Sequence, residues 1–245
     1  MKQNILYRII RKLSHLRVMD RRHIYKYWEI EHLKKIVAYY QVDCFFDVGA
    51  NYGQYATMLR KDVGFEGLIV SFEPNLDAAN HLLKLSKNDP LWQVEQGALS
   101  SFDGVQQFNI MADSQFSSLS QPTHSETDLF IESNKVKRTV DVKCETVTTA
   151  YERLSQQHRF KYPFLKMDTQ GYDVEIMRHA GGALGHFIGI QSELAIKKLY
   201  ENSIDYKSAI EFYETLGFSM SAFVPNNSGH FPYLVETDCI MVRGR

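Results

Sequence analysis

The sequence predicts an α/β protein built on a seven-stranded, mostly parallel β-sheet. From residue 43 onward, short apolar runs rich in β-branched and aromatic residues alternate with segments of helical period, a pattern typical of parallel βαβ units. A glycine-containing turn follows the first apolar run, and the last two runs lie too close together for a helix between them. The predicted strands are 43–48, 67–73, 92–98, 163–168, 187–193, 218–224 and 237–243.

The segments between these strands carry apolar residues at helical spacing. Helices are predicted near 27–40, 53–63, 75–88, 146–157, 172–180 and 206–216. The last connection, 225–236, instead contains two prolines, two asparagines and a glycine, which favour a loop. The final two strands should therefore form an antiparallel pair.

Residues 100–145 depart from this alternation. The runs 105–111 and 136–143 alternate at period two and flank a polar, serine-rich stretch, 112–128. We expect an additional antiparallel pair with a mobile loop beside the active site. No repeat or linker divides the chain, so we predict one domain over 41–245, preceded by a helical extension over 1–40.

The composition excludes several classes of protein. The 245 residues have a formal net charge of -1, which gives no global argument for nucleic-acid binding. The three cysteines are too far apart in sequence to predict a disulfide framework or a metal site. No apolar stretch is long enough to cross a membrane and the first residues lack a signal-peptide core, so we expect a cytoplasmic protein.

The first 28 residues form a basic leader, with eight Lys or Arg against one acid. Apolar residues recur in it at helical spacing: Ile5, Leu6, Ile9, Ile10, Leu13 and Leu16. Such a helix could lie on an acidic membrane, at the inner face, or could cap the core or a second copy in a homo-oligomer. We favour the structural role, because amphipathic surface helices are common, and leave peripheral membrane contact open.

The strongest motif is Asp47-Val48-Gly49-Ala50-Asn51-Tyr52-Gly53, between a strand and a helix. Gly49 permits a tight turn close to a ligand, and Gly53 lets the helix pack closely on the strand. Asp47 ends the strand, where it could accept hydrogen bonds from a cofactor ammonium. Glu73 ends the next strand, 20 residues after Gly53, a position suited to binding both ribose hydroxyls.

The type of cofactor follows from the same motif. A dinucleotide usually requires G-x-G-x-x-G to hold its pyrophosphate, whereas position 51 is Asn. S-adenosylmethionine has no phosphate and carries a cationic sulfonium, which an acid at the turn would favour. The motif therefore favours a methyl donor over NAD.

With these residues the chain resembles the FkbM family of methyltransferases, from about Phe45 to the C-terminus. The carrying segments are FFDVGANYGQYA (45–56), SFEPN (71–75), QGALSSFDG (96–104), FLKMDTQGYDVEIMRHA (164–180) and TDCIMV (237–242). One departure is Thr169-Gln170, where the family pattern has an apolar residue and an acid, and this leaves position 170 without an inherited role.

The resemblance implies a Rossmann-like class I methyltransferase fold and transfer of a methyl group to oxygen. It also implies that Gly97, Ala98 and Leu99 flank the adenine. The complete set of predicted cofactor-binding residues is Asp47, Gly49, Ala50, Asn51, Gly53, Tyr55, Glu73, Pro74, Gly97, Ala98, Leu99 and Asp168.

Three residues are candidates for catalysis. Asp168 ends the fourth parallel strand, where ligands bind in such sheets, and could act as base, acceptor-orienting group or metal ligand. Glu193 ends the next strand and is the second candidate. Two carboxylates at neighbouring strand ends could share a divalent cation, although the sequence does not establish a metal. His230, in the last loop, could reach over the acceptor, and Phe116 could line its pocket.

Other functions remain open on the sequence alone. An NAD-dependent oxidoreductase is disfavoured by the missing second glycine and by the terminal hairpin. A non-catalytic S-adenosylmethionine-binding module is disfavoured by the carboxylates at both strand ends. A nucleic-acid methyltransferase lacks support, because Asp168 is followed by Thr-Gln rather than by the two prolines expected for methylation of base amines. The expected acceptor is a hydroxyl of a sugar, a glycan or a small-molecule natural product.

Overall fold

The apolar runs form a central sheet in the computed structural model, which describes residues 24–225, 230 and 232–244. The strands among these residues are β1 (Cys44–Val48), β2 (Leu68–Phe72), β3 (Trp92–Glu95), β4 (Ala98–Leu99), β5 (Gly104–Met111), β6 (Val136–Glu145), β7 (Pro163–Met167), β8 (Gly189–Ala195), β9 (Ser219–Pro225) and β10 (Glu236–Val242). The predicted basic helix of the leader lies outside the described residues.

Seven strands make one sheet in the order β3-β2-β1-β7-β8-β10-β9. Neighbours among β3, β2, β1, β7 and β8 run parallel, and β10 runs antiparallel to both β8 and β9. The predicted α/β fold with an antiparallel final strand is confirmed. The strand order reverses direction between β1 and β7, where the ends of the two strands diverge and leave a crevice for a ligand.

The third predicted strand, 92–98, is divided in two. Its first part, β3, pairs with β2, whereas Ala98 and Leu99 pair with β6 in a second sheet of order β4-β6-β5. The chain leaves the main sheet at Gly97, whose N–H donates to the carbonyl of Glu73 over 3.2 Å. The predicted antiparallel pair is present as β5 and β6.

Six α-helices flank the sheets in the described part of the chain. They are α1 (Ile24–Tyr40), α2 (Gln54–Met58), α3 (Leu76–Ser86), α4 (Val147–Gln157), α5 (Asp173–Arg178) and α6 (Tyr206–Thr215). The helix predicted over 53–63 is α-helical only to Met58 and continues as a π-helix over Leu59–Val63. Asn75, Thr146 and Asp205 cap α3, α4 and α6 by accepting backbone N–H bonds, which explains why these helices begin there.

The strands of the main sheet are buried on both faces. Phe45 and Phe46 are adjacent in β1 and fully buried, and they belong to separate apolar clusters on opposite faces of the sheet. Leu33 and Ile36 of α1 join the cluster around Phe45, so this helix packs against the sheet. No helix within the described residues is long and apolar enough to cross a membrane.

Candidate active site

A large cavity opens at the carboxyl ends of β1, β2, β7 and β8. It encloses about 430 Å³. The predicted site residues on its wall are Gly49, Ala50, Asn51, Tyr55, Glu73, Asp168, Glu193 and Phe116. The fold thus brings together residues that are more than 140 positions apart in the sequence because parallel strands end at one edge of the sheet.

The turn after β1 follows the path that its glycines predict. Gly49 has φ +73°, and an added Cβ there would overlap the carbonyl oxygen of Asp168. Its N–H and that of Ala50 both donate to the carbonyl of Phe72 over 3.1 Å. Gly53, with φ +84°, precedes α2 and lies against Leu82 of α3. Only a residue without a side chain can take this path at Gly49.

Glu73 braces the turn and faces the cavity. One of its carboxyl oxygens accepts the backbone N–H of Asn51 at 2.7 Å and the other accepts that of Asn75 at 2.8 Å. Burial raises the pKa of Glu73 to about 7, although these two hydrogen bonds favour the charged form. Each oxygen keeps a lone pair that could accept a hydrogen bond from a hydroxyl group of a ligand.

An apolar cleft adjoins the cavity on the side of β2 and β4. Its walls comprise Val48, Gly49, Phe72, Pro74, Ala98, Leu99, Phe108, Ser117, Leu119, Asp168 and Thr169. Gly49, Ser117 and Asp168 line both the cleft and the main cavity, so the two are continuous. Of the three residues predicted to flank the adenine, Ala98 and Leu99 line this cleft and Gly97 does not. The backbone N–H of Gly97 donates to the carbonyl of Glu73.

Asp47 lies behind the cavity wall rather than on it. Its side chain is completely buried and forms an ion pair with Lys166, with 3.1 Å between the Nζ and Oδ1 atoms. Ser71 donates a hydrogen bond to its other oxygen over 3.1 Å. Asp47 therefore reaches the cavity only through Lys166, which lies on the wall and also approaches Asp168 at 3.8 Å.

Gln170 joins the two predicted catalytic carboxylates. Its Nε2 atom donates to Asp168 Oδ1 at 2.9 Å and to Glu193 Oε2 at 3.0 Å. The hydroxyl oxygen of Tyr200 lies 3.0 Å from the Oε1 atom of Gln170, which is the end of the amide that faces away from the carboxylates. Sequence reasoning left position 170 without a role, and only the fold shows this contact.

Gln191 repeats this arrangement on the other wall. Its Nε2 atom donates to Glu29 at 2.8 Å and to Asp238 at 3.1 Å, while Tyr55 donates to its Oε1 atom at 2.9 Å. Burial raises the pKa of Asp238 well above its usual range, and nearby carboxylates add to the effect. Glu29, Gln191 and Asp238 were missed because they come from α1, β8 and β10, which no local motif connects.

The cavity wall is strongly acidic. Seven carboxyl groups line it, against two lysines. They are Glu29, Glu73, Asp113, Asp168, Glu193, Glu236 and Asp238, facing Lys26 and Lys166. Burial raises the pKa of Glu236 to about 7 and that of Glu193 well above its usual range, and each carboxyl disfavours ionisation of its neighbours.

The serine-rich segment forms the roof of the cavity. Its residues 113–117 line the wall, and Ser114 donates to the Asn51 side chain over 3.3 Å. Tyr200 donates its hydroxyl proton to the carbonyl oxygen of Phe116, the nearer acceptor, over 2.7 Å. The predicted mobile loop is thus hydrogen-bonded to both sides of the site in this structure.

His230 packs on Phe130, a cavity residue, with 5.4 Å between the ring centroids. Burial lowers the pKa of the His230 imidazole, so its neutral form is favoured. Within the residues that the structure describes, no group of three or more His, Cys, Asp or Glu side chains is arranged to hold a metal ion.

Comparison with known proteins decides the family. The profile of the methyltransferase FkbM domain matches residues 47–218, well over half of the chain. The chain belongs to the FkbM family of S-adenosylmethionine-dependent methyltransferases. The match begins at Asp47 and covers the glycine turn, Glu73, Asp168 and Glu193. Among curated protein sequences, none matches this one.

One solved structure agrees on the fold, and two others are more weakly similar to the chain. The methyltransferase FkbM from Methylobacillus flagellatus aligns with a TM-score of 0.50 at 11% identity, over 82% of this chain and 43% of its own. Fibrillarin from Aeropyrum pernix, solved with S-adenosylmethionine, has a TM-score of 0.45 at 13% identity, over 82% and 66%. TehB from Haemophilus influenzae has a TM-score of 0.47 at 7% identity, over 91% and 67%. The chain spans less than half of the FkbM chain and about two thirds of the other two.

The cavity of this FkbM chain fits S-adenosylmethionine. The apolar cleft between Phe72 and Leu99 is suited to adenine, and Glu73 beside it is suited to a ribose. The acidic wall favours a cation, as a sulfonium requires.

Proposed function

We propose that this FkbM protein transfers a methyl group from S-adenosylmethionine to a hydroxyl oxygen of a sugar, a glycan or a small-molecule natural product. The observation that supports it is the position of Asp168. This carboxylate lines both the apolar cleft and the acidic cavity, and its side chain is 46% exposed. It therefore lies at the boundary where donor and acceptor would meet.

The surroundings of Asp168 suit a group that receives a proton. Gln170 holds one of its oxygens at 2.9 Å, and Lys166 lies 3.8 Å from the other. When bound, S-adenosylmethionine supplies an activated methyl group for in-line displacement. Orientation of the acceptor oxygen and removal of its proton are then the tasks of the protein, and general-base catalysis typically contributes about 10²–10⁴-fold.

The acceptor half of the cavity, which we define as the part lined by Asp168, Gln170, Gln191, Glu193, Glu236 and Asp238, suits a molecule with many hydroxyl groups. Its walls offer carboxylates and amides that accept hydroxyl protons, with Phe116, Phe130 and Val224 as apolar surfaces. Seven acids against two lysines would repel phosphate-rich acceptors, including nucleic acid. These features support a sugar or a hydroxylated natural product.

We also propose that the protein acts in the cytoplasm. The amino-acid composition supports the cytoplasm. Peripheral contact with acidic lipid or with a second copy depends on the basic leader, 1–28, most of which lies outside the described residues.

The direct test is a donor-dependent transfer assay with radiolabelled S-adenosylmethionine and a panel of free sugars, glycans and polyketides. The methylated atom is then assigned by NMR. We expect a product methylated on oxygen. A product methylated on carbon or nitrogen, or binding of NADH in place of S-adenosylhomocysteine, would contradict the proposal.

Two substitutions test the role of Asp168. Asp168→Asn keeps the shape but removes the base, and should lower kcat by about 10²–10⁴-fold. Binding of S-adenosylhomocysteine, measured by calorimetry, should change little. Asp128→Asn, in a partly exposed loop away from the cavity lining, serves as the matched control. Unchanged turnover in Asp168→Asn would remove the catalytic assignment.

A further inference from the structure

Glu29 reaches the active-site cavity from outside the family domain. It lies in α1, which precedes the family match at residues 47–218, and it lines the cavity although it is only 8% exposed. Leu33 and Ile36 of the same helix pack against the sheet and hold α1 at the cavity wall. Burying a carboxyl costs free energy unless it has partners. Glu29 is therefore a candidate for recognising a feature of the acceptor that is particular to this protein.

One amide joins Glu29 to a second carboxyl of the cavity. Gln191 Nε2 donates to Glu29 Oε1 at 2.8 Å and to Asp238 Oδ2 at 3.1 Å. Tyr55 donates its hydroxyl proton to the other end of the amide, Oε1, at 2.9 Å. Both amide protons of Gln191 and the hydroxyl proton of Tyr55 are thus used within the protein. The groups that could still bind a ligand here are the remaining lone pairs of the two carboxyls.

The separation of these carboxyls suits two neighbouring hydroxyl groups. The bonded oxygens of Glu29 and Asp238 lie within hydrogen-bond distance of one nitrogen, so they are no more than about 6 Å apart. Hydroxyls on adjacent carbons of a ring could each bind one carboxyl. A hydroxyl can donate and accept, so it pairs with a carboxyl in either protonation state, whereas an ammonium only donates. Burial raises the pKa of Glu29 and that of Asp238, which favours a neutral partner.

The sheet sets the distance between this pair and Asp168. Gln191 pairs in register with Lys166 on the neighbouring strand, and Asp168 follows Lys166 by two residues. With about 3.3 Å per residue along a strand and about 4.8 Å between strands, the Cα atoms of Gln191 and Asp168 are about 8 Å apart. Both side chains line the cavity. A single sugar ring with its hydroxyl groups can span this distance.

We propose that Glu29 and Asp238 determine specificity by binding two neighbouring hydroxyl groups of a sugar ring whose third hydroxyl group lies at Asp168. This rests on the proposed O-methylation and specifies its substrate class: a monosaccharide unit with at least three free hydroxyl groups, two of them on adjacent carbons. Glu29 and Asp238 hold the acceptor and take no part in the transfer. Gln191 is a positioning residue, because it acts through the two carboxyls.

Calorimetry of the full chain saturated with S-adenosylhomocysteine tests the choice of ligand. The probes are glucose, galactose and myo-inositol, compared with cyclohexane-1,4-diol, whose two hydroxyl groups are not adjacent. We expect the three polyols to bind at least about tenfold more tightly than the diol, as additional hydrogen bonds allow. Equal affinities, or no binding of any polyol, would overturn the proposal. Binding of glucosamine at least about tenfold more tightly than glucose would overturn it as well, because the carboxyls would then bind a cation.

Three variants locate the binding. Glu29→Met keeps the length of the side chain without its oxygens and should weaken polyol binding at least about tenfold. Glu29→Gln should retain most of that binding, because an amide also pairs with hydroxyl groups. Glu31→Met, on the same helix but outside the cavity lining, should change nothing.

The affinity for S-adenosylhomocysteine should be unchanged in all three variants, which checks that they are folded. If Glu29→Met binds the polyols as tightly as the unaltered protein, Glu29 does not contact the acceptor. If Glu29→Gln loses as much affinity as Glu29→Met, the charge of Glu29 is what the ligand requires. Either result overturns the proposal.

The transfer assay separates this proposal from the proposed function. O-methylation of the polyols at a higher kcat/KM than cyclohexane-1,4-diol, with the difference lost in Glu29→Met, supports both. Equal O-methylation of polyols and diol overturns the hydroxyl subsite and leaves O-methylation standing. Methylation on carbon or nitrogen overturns the proposed function, whereas polyol binding that is selective and depends on Glu29 would still support the subsite.

Discussion

The donor half and the acceptor half of the cavity are built in different ways. The donor half is local: the glycine turn, Glu73 and the cleft residues Phe72 and Pro74 lie within 30 residues of one another. Its hydrogen bonds are made largely by the backbone, as where Glu73 accepts the N–H groups of Asn51 and Asn75. A short motif can therefore specify it.

The acceptor half is assembled from distant parts of the chain by side chains. Gln191 contacts Glu29 across 162 positions and Asp238 across 47. Most of its ionisable groups are carboxyls that lie close together, so the protonation of each one depends on the others. If the proposed function holds, we expect the family motif to specify the donor half and the side chains of the acceptor half to set the choice of substrate.

Lys166 connects the two halves, and its removal should have the largest effect on stability. Burial disfavours its charge, but Asp47 and Asp168 outweigh this and raise the pKa of Lys166. Lys166→Met would leave Asp47 charged and fully buried without a cation. We expect a loss of about 3–5 kcal/mol in the free energy of unfolding, measured by urea denaturation.

Two further variants test the reason for that loss. Lys61→Met removes an exposed lysine and should change stability by less than about 0.5 kcal/mol. Adding Asp47→Asn to Lys166→Met removes the unpaired charge, so the double variant should be more stable than the sum of the single effects. Strict additivity would show that the ion pair does not join the two halves.

The same contrast explains which parts of the molecule the sequence could predict. The strands of the main sheet, the terminal hairpin and the Gly49 turn follow from periodicity and from residue types with few allowed conformations. The position of Asp168 and Glu193 at the ends of parallel strands was sufficient to predict that they lie in the cavity. The same reasoning was wrong for Asp47, which is at the end of β1 but lies behind the wall, where it pairs with Lys166.

The remaining site residues had no local signal. Gln170 has φ +56° and interrupts the family pattern, yet it bonds both carboxylates. Glu236 and Asp238 belong to the strand that is inserted between β8 and β9, and only that insertion brings them to the cavity. Contacts of this kind depend on strand order, which alternation of apolar and polar residues does not encode.

Two glycine substitutions test the geometry of the turn in the donor half, and their effect on stability should be smaller than that of Lys166→Met. Gly49 and Gly64 have nearly the same φ, +73° and +76°. An added Cβ would overlap the Asp168 carbonyl at Gly49 but would meet nothing within 4 Å at Gly64. Gly64→Ala should cost about 1–2 kcal/mol from backbone strain alone. Gly49→Ala should cost at least about 1–3 kcal/mol more, as overpacking typically does.

Binding of S-adenosylhomocysteine gives the second measurement on these variants. It should be lost or strongly weakened in Gly49→Ala, because the turn must move away from Asp168, and retained in Gly64→Ala. Equal effects of the two substitutions on stability and on binding would show that the close approach at Gly49 is not required by the donor half.

The smallest expected effect is the pH dependence of donor binding through Glu73. Its pKa of about 7 in the ligand-free protein means that the carboxyl is largely protonated at pH 6 and largely ionised at pH 8. Ribose hydroxyls donate to the ionised form, so the affinity for S-adenosylhomocysteine should fall about tenfold from pH 8 to pH 6. Glu73→Gln cannot titrate, and its weaker binding should be nearly independent of pH over this range.

Ionisation of Glu73 should lower the stability of the ligand-free protein, whereas it raises the affinity for the donor. The folded-state pKa of Glu73 lies above the ordinary value of 4.5, so the folded protein binds this proton more tightly than the unfolded chain does. The contribution to stability is complete below pH 4.5 and is lost as the pH rises through about 7. Ligand-free Glu73→Gln should therefore lose less stability than the unaltered protein between pH 6 and pH 8, as measured by thermal denaturation. If affinity and stability instead change in the same direction with pH, Glu73 is not the group that binds the donor.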